Sequence, residues 1–414
     1  MSRRVVVTGC GIVSSIGNSC DEVLASLKEN KSGIEVVPEW KEFGFKSHVA
    51  GTIKLPDIDS LRRDFGSKAR YMDLSAIYAL ISAEQAIKDA GLTAEVLQSE
   101  RTGCIAGSGF SNSDPFRQAS DRVEGRVRKI SPFKVTRSMT SSVSANLTFY
   151  YGIKGRSYSI GSACATSLHN IGHGYELIKT GLCDVVLAGG TEEVSNIVTC
   201  MFDGMRKVMS TGFNEDPEKA SRPYDRDRDG FVISGGAGIV VLEDYDHAVA
   251  RGAKIYGEIA GFGTSSDGHD IVQPDPEGIG CHRCMDAAFK DAGIEPSSID
   301  YINTHGTSTL AGDLAEAVAI KKMFHGLPVK VSSTKALTGH GIGATGAQEL
   351  IYCLLMMREN FITASVNIDN RDEVFDDLNI VTQNEDCELN TVLTNSFGFG
   401  GTNGAVIVKR VHAA

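Results

Sequence analysis

No segment of this 414-residue sequence is long and apolar enough to cross a bilayer, which excludes membrane insertion through a spanning helix. The opening stretch "MSRRVVVTGCGIVSSIG" has two arginines followed by an apolar strand. It lacks the long apolar core and small-residue cleavage site of a secretory signal. The ten cysteines have no framework spacing, so a disulfide scaffold is excluded; reduced thiols in the cytoplasm are expected. The only CxxC, "CHRC" at 281–284, has no second pair. It predicts a coincidence on a helix surface, and no metal site. Positive charge is also short: 41 Lys and Arg against 52 Asp and Glu leave −11, which argues against a nucleic-acid partner. "VVVTGCGIV" resembles the start of a dinucleotide fingerprint, but after Gly9 and Gly11 the third glycine position holds Ser14. No acidic residue closes a second strand at the required distance either.

What remains is a glycine-rich chain, with 45 glycines and 42% hydrophobic residues, suited to a globular α/β protein of one large domain or two packed ones. The heptapeptide "AIKDAGL" at 86–92 returns as "AFKDAGI" at 288–294, about half the chain later. In both copies a helix pattern ends at glycine and a strand pattern follows. This predicts two similar α/β halves, 1–245 and 246–414. The scarce positive charge is unevenly spread. Between Arg122 and Arg137 six basic residues stand against Glu124, and Arg62, Arg63, Lys68 and Arg70 form a smaller group. A solvated face is the ordinary explanation; on an acidic protein it also marks where an acidic partner docks.

Three segments carry chemistry. In "SYSIGSACATSLHN" a strand leads to Cys164, surrounded by Gly161, Ser162, Ala163, Ala165 and Ser167, before a helix with Leu168, Ile171, Tyr175 and Ile178 on one stripe. A buried structural thiol is packed by bulky neighbours. These small ones leave room for a substrate carbonyl to reach the sulfur and nearby backbone N–H groups. A thiol at a helix's positive end should ionise below its free pKa of about 8.5. "SIDYINTHGTST" is a strand ending at His305, with Thr307 and Thr309 in the turn; "VKVSSTKALTGHGIGATG" is a strand followed by a glycine-rich loop with Lys335 and His340. All three reactive residues lie past the C-terminal ends of strands, where open α/β sheets place their sites. "TNSFGFGGTNG" at 394–404 reads as a tight glycine turn between strands, or as a loop whose backbone comes close to a ligand.

"SACATS", "THGTST", "STKALTGHGIGATG", "NSFGFGGTNG" and "SRPYDRDRDGFVISGGAG" stand in the order and spacing of the β-ketoacyl-acyl carrier protein synthases, and the sequence resembles that family from Val5 to its end. The detail around "ACATS" and "MFDGM" is most similar to the bacterial synthase I type, with synthase II the nearest competitor. The resemblance implies a thiolase-like fold of two duplicated βαβαβαββ halves in five αβαβα layers, and a homodimer. It implies that Cys164 takes an acyl group from a carrier-protein thioester, with the N–H groups of Cys164 and Phe399 as oxyanion hole. His305 and His340 would then hold the enolate left by decarboxylation of malonyl-carrier protein, giving a 3-oxoacyl chain of fatty acid elongation.

By the same resemblance Lys335 and Glu316 form an orienting pair and Thr307 and Thr309 bond the phosphopantetheine arm. Phe202, Phe231, Phe399, Gly400 and Phe110 line its tunnel and the acyl pocket. No cofactor is implied, because phosphopantetheine arrives on the carrier; Lys68, Arg70, Arg128 and Lys129 are the expected docking residues for that acyl carrier protein. A monovalent cation would sit near Asn303, Glu349, Asn395 and Ser396. Two positions depart from the family: Leu310 replaces a usual proline after the "HGTST" turn, and Phe110 stands where a glycine or small aliphatic residue is usual. Rival readings lack residues. A thiolase needs a second cysteine in the C-terminal glycine loop, condensing enzymes that start from acyl-CoA use Cys-His-Asn, and a non-catalytic carrier-binding subunit lacks the nucleophile. A polyketide ketosynthase of the same chemistry remains open.

Overall fold

The "VVVTGCGIV" stretch is a strand buried along its whole length, β1 (Val5–Val13), and it sits at the seam of the molecule. The computed structural model describes residues 2–110 and 113–411. From β1 the chain runs through α1 (Leu74–Ala90), β2 (Thr102–Ser108), α2 (Ser142–Tyr151), β3 (Ser157–Tyr158), α3 (Thr166–Lys179), β4 (Val185–Glu192) and β5 (Gly236–Asp244). It then repeats the pattern through β6 (Gly257–Ser266), α4 (Ile279–Ala292), β7 (Tyr301–Asn303), α5 (Leu310–Met323), β8 (Lys330–Ser332) and α6 (Thr345–Glu359). A short extra strand, β9 (Asn379–Ile380), precedes β10 (Thr391–Gly398) and β11 (Thr402–Lys409).

Read outward from the seam, the first half orders its strands β1-β5-β4-β2-β3 and the second β6-β11-β10-β7-β8, with β9 beyond. In both, the two inner pairings are antiparallel and the two outer ones parallel. The halves join where Val5, Val6 and Val7 pair with Ile259, Glu258 and Gly257. The repeated heptapeptide marks equivalent helices: α1 ends at Gly91 with φ 62° and α4 at Gly293 with φ 64°, both left-handed caps.

The glycines of β1 have a packing role. A Cβ at Gly11 would lie 1.8 Å from Ser82 O on α1, and one at Gly263 of β6 would lie 2.1 Å from Cys284 O on α4. Each outer helix therefore lies directly on the backbone of its half's first strand. α3 and α6 pack against each other between the two sheet halves, while α1 and α2 cover the outer face of the first half and α4 and α5 that of the second. α6 is buried from Thr345 through Met357, as a helix in the central one of five layers must be.

The expected surface position of the CxxC pair is overturned here. Cys281 and Cys284 are buried, and Cys284 Sγ donates to Gly263 O at 3.4 Å, because α4 turns that face onto β6. Among the described residues, no helix is long and apolar enough to cross a membrane.

Candidate active site

α3 and α6 begin alike. Before α3 a turn over Ala163–Ala165 holds Ala163 at φ 48°, and Ser162 N donates to Thr166 Oγ1 at 2.9 Å. Before α6 a turn over Ile342–Ala344 holds Ile342 at φ 47°, and Gly341 N donates to Thr345 Oγ1 at 2.9 Å. A left-handed conformation costs an alanine or isoleucine about 1–3 kcal/mol, so the surrounding fold must enforce both turns. Cys164 occupies in the first turn the place that Gly343 holds in the second.

Cys164, His305 and His340 face one cavity of about 310 Å³. The backbone N–H groups of Phe399 and of Cys164 itself reach the sulfur. The expectation of a lowered thiol pKa fails, however. Burial pushes it up to about 12, against the opposing pull of the Lys335 charge and the two N–H groups. The thiol lies in the turn before α3, walled by apolar residues, and loss of water outweighs the helix end.

His305 follows β7. Glu316 of α5 holds that chain end by accepting from His305 N and Gly306 N, each at 2.8 Å. His340 is fixed by its own N–H donating to Val232 O at 2.7 Å. The imidazole centroids are 5.2 Å apart and the planes almost perpendicular at 88°. His305 Nδ1 and His340 Nε2 are buried without a hydrogen-bond partner. Burial and the nearby Lys335 charge hold both pKa values well below the ordinary histidine range. Both rings are therefore neutral, each with one N–H and one lone pair.

The Lys335–Glu316 pairing is corrected. Lys335 Nζ donates to Glu349 Oε1 at 2.5 Å, because α6 delivers Glu349 to the ammonium while Glu316 is engaged with the His305 backbone. Lys335 and Glu349 are 1% and 2% exposed. Lys335→Ala would leave a buried carboxylate unpaired, and is expected to lower stability by about 3–5 kcal/mol. Urea unfolding would check this; a loss below about 1 kcal/mol would mean that the pair is solvated.

Thr307 and Thr309 line the cavity and their hydroxyls lie 3.0 Å apart. Leu310, the first residue of α5, lines it beside them. Phe202, Phe231 and Phe399 form an aromatic wall, with Phe202 centred 5.3 Å from Phe231 and 6.3 Å from Phe399. Two of the expected lining residues lie elsewhere. Phe110 stands behind this wall, edge-on to Phe202 at 5.5 Å. Gly400 is exposed and its N–H donates to Ile271 O at 2.6 Å, so the glycine loop meets the cavity through Gly398, Phe399 and Gly401.

Sequence reading missed two features. Arg206 and Lys207 stand among the cavity-lining residues, a pair too short to register as a basic cluster. Glu192, at the end of β4, is buried close enough for its charge to act on Cys164; two acids closing an apolar strand, "TEE", were the available signal.

The proposed cation position holds orphaned oxygens. Asn303 Oδ1, Glu349 Oε2, Asn395 Oδ1 and Ser396 Oγ are all buried without a partner. An all-oxygen set of this kind suits a hard cation.

On the surface, the two basic groups meet. Arg137 donates through Nε and a terminal nitrogen to Arg70 O at 3.1 and 2.8 Å. Arg70, Arg128 and Lys129 are exposed. Lys68 is less available, because its ammonium donates to Phe149 O and Tyr150 O at the end of α2. Lys134 is buried against Asp114, and Arg126 is paired with Asp121 and Glu124.

Residues 2–248 match the family model described as Beta-ketoacyl synthase, N-terminal domain, and residues 256–369 match Beta-ketoacyl synthase, C-terminal domain. The 3-oxoacyl-[acyl-carrier-protein] synthase 1 of Haemophilus influenzae is 52% identical over 411 residues, covering 99% of both chains. The synthase 2 of Coxiella burnetii is 40% identical over 413 residues, again covering 99% of both. Among solved structures, a Beta-ketoacyl synthase from Burkholderia phymatum superposes with TM-score 0.93 at 33% identity, over 99% of this chain and 100% of that one. A type II polyketide ketosynthase in complex with its acyl-carrier protein gives TM-score 0.88 at 29% identity, over all of both chains. With the doubled thiolase-like fold and a cysteine facing two histidines across one cavity, these similarities place the chain in the beta-ketoacyl synthase family.

Proposed function

We propose that this protein catalyses decarboxylative Claisen condensation of an acyl group with malonyl-acyl carrier protein, giving 3-oxoacyl-acyl carrier protein in fatty acid elongation. The observation that carries this reading is the single cavity in which a thiol supplied with two backbone N–H groups faces two neutral imidazoles. In the first stage the Cys164 sulfur attacks the acyl thioester and its proton passes to the departing pantetheine thiol. The N–H groups of Cys164 and Phe399 hold the oxyanion between. In the second, the bond to the malonyl carboxylate breaks and CO₂ leaves. His305 and His340 donate to the thioester oxygen as the enolate forms. Its carbon attacks the acyl carbonyl, and the Cys164 sulfur leaves and regains a proton. Thr307 and Thr309 hold the pantetheine arm, which the carrier supplies; the chemistry draws on no resident cofactor. Asn303, Glu349, Asn395 and Ser396 are the residues that would hold a monovalent cation.

The greater likeness to synthase 1 than to polyketide ketosynthases favours the fatty acid reading over a polyketide one. Incubation with malonyl- and acyl-carrier proteins, followed by mass analysis, is expected to give a 3-oxoacyl chain two carbons longer. Carrier-bound starting material returned unchanged would overturn the reading. A homodimer is also proposed, since β3 leaves an open sheet edge with Phe149 and Tyr158 exposed nearby. A monomeric mass in solution would refute it.

Carriers of this kind are small acidic proteins, and this chain carries −11, so encounter needs a local positive face. Arg70, Arg128 and Lys129, with Lys68 at the margin, supply it. Each exposed contact is worth about 1 kcal/mol or less. Reversing all four to Glu is expected to raise KM for carrier-bound substrates about 10- to 100-fold and to flatten the salt dependence of association. Activity on a small pantetheine thioester should stay within about two-fold, since the chemistry at Cys164 is untouched. Equal loss on both substrate types would assign the patch to folding or to the dimer.

A further inference from the structure

The paired turns before α3 and α6 give the molecule two equivalent pockets of backbone N–H groups, of which only one faces the catalytic cavity. At the first, the N–H of Cys164 lies beside the end of β10; a Cβ on Gly398 there would be 3.2 Å from it. At the second, the N–H of Gly343 lies beside the end of β4, and the carboxylate of Glu192 fills the place. Glu192 Oε2 accepts from Gly343 N at 3.1 Å and Gly109 N at 2.9 Å. The Ser108 hydroxyl lies 2.7 Å from both Glu192 Oε1 and Phe110 O. The side chain is 1% exposed. Where one pocket is open to a substrate oxyanion, the other is closed by an internal carboxyl group, whose pKa burial pushes up to about 8 against the pull of its hydrogen bonds. Nothing in the proposed reaction uses this carboxylate.

Its bonds join two walls of the site. Ser108 and Gly109 lead into Phe110, which backs the cavity-lining Phe202 edge-on. Gly343 belongs to the turn that carries Ile342, which lines the cavity within the same apolar cluster as Phe110, Phe202 and Cys164. That turn follows His340 by two residues. Gly109 and Gly343 are so close that a Cβ on Gly343 would lie 2.3 Å from Gly109 N, so the two segments meet at this carboxylate and nowhere with slack.

We propose that Glu192 is a positioning residue that clamps the segment bearing Phe110 to the turn bearing Ile342, and so sets both the depth of the acyl pocket and the placement of His340. The pocket it closes, walled by Phe202 and Ile342 with Phe110 backing Phe202, then suits a short acyl group on Cys164. This rests on the condensing reaction proposed above.

The test compares the native protein with Glu192→Ala, Glu192→Gln and Phe110→Ala. Two readouts are needed: kcat/KM over acyl-carrier proteins of graded chain length, and single-turnover decarboxylation of malonyl-carrier protein. The native enzyme should favour short chains. Glu192→Ala should shift preference toward longer chains and slow decarboxylation about 10- to 100-fold, the scale of a misplaced catalytic group. Glu192→Gln should fall between, because its one amide oxygen can still accept from Gly109 N and Gly343 N while its NH2 group replaces the acceptor that faces the Ser108 hydroxyl. Phe110→Ala should reproduce the chain-length shift. An unchanged chain-length profile in the Glu192 variants, or a uniform loss that tracks a lowered Tm, would overturn the clamp. If Glu192→Ala does not fold, Glu192→Gln and Phe110→Ala decide the matter by the same profile. Failure of the native enzyme to condense any chain would instead overturn the reaction on which the inference rests.

Discussion

Cys164→Ala is expected to abolish condensation, with a loss of about 10⁴-fold or more, and to prevent labelled acyl groups from attaching to the protein. The chain has ten free thiols, so position must select one. Cys10, Cys104, Cys183, Cys284 and Cys353 are buried in the core, and Cys200 is exposed on the surface. Cys281 is the informative competitor, because it lines the same cavity. Burial and the charges of Glu316 and Asp267 push its pKa well above the ordinary thiol range, whereas Lys335 and two N–H groups act on Cys164 in the ionising direction. Label found on Cys281 in the variant would sink the assignment.

The raised pKa of Cys164 fixes a sign. Its folded value of about 12 lies above neutral pH, so the thiolate fraction grows as pH rises, and acyl loading should accelerate with it. Cys164→Gln should keep malonyl decarboxylation, because an amide fills the acyl position without forming an ester.

Replacing His305 or His340 with Ala should remove most malonyl decarboxylation while acyl loading of Cys164 suffers less. Deleting one oxyanion donor costs about 3–4 kcal/mol, or roughly 10²–10³ in rate. Loading retains the turn at Cys164 and its two N–H groups, so single-turnover assays should separate the two steps. The histidine pKa values are held well below the usual 6.5, so both rings stay neutral as pH falls through that value. Decarboxylation should therefore be flat across neutral pH while loading rises. Normal decarboxylation in both variants, or a fall in rate centred near 6.5 in the native enzyme, would count against this assignment.

Much of the site was legible because it is encoded locally. Cys164, His305 and His340 each lie within about eight residues of a short strand's end and beside glycine or small residues, and such patterns report strand ends without reference to the rest of the chain. The repeated "KDAG" likewise announced the doubled architecture, since each copy caps a helix in the same way. Glu349 is different. Its partner Lys335 is 14 positions away in sequence, and the resemblance pointed to Glu316 instead, which α5 spends on the His305 backbone. The two basic groups, far apart in sequence, become one surface only through the Arg137 contact to Arg70 O.

The sequence by itself determined the duplication and the strand-to-turn patterns around Cys164, His305 and His340, because periodicity, caps and small-residue turns act over a few neighbouring residues. Tertiary structure decided everything that depends on water and on distant charge. It placed Phe110 behind Phe202 and put Glu192 into a pocket matching the one at Cys164. It also reversed the expected shift of the thiol. A helix end favours thiolate in any sequence, but the cost of burying that charge depends on how completely the packed layers exclude solvent, and at Cys164 the exclusion wins.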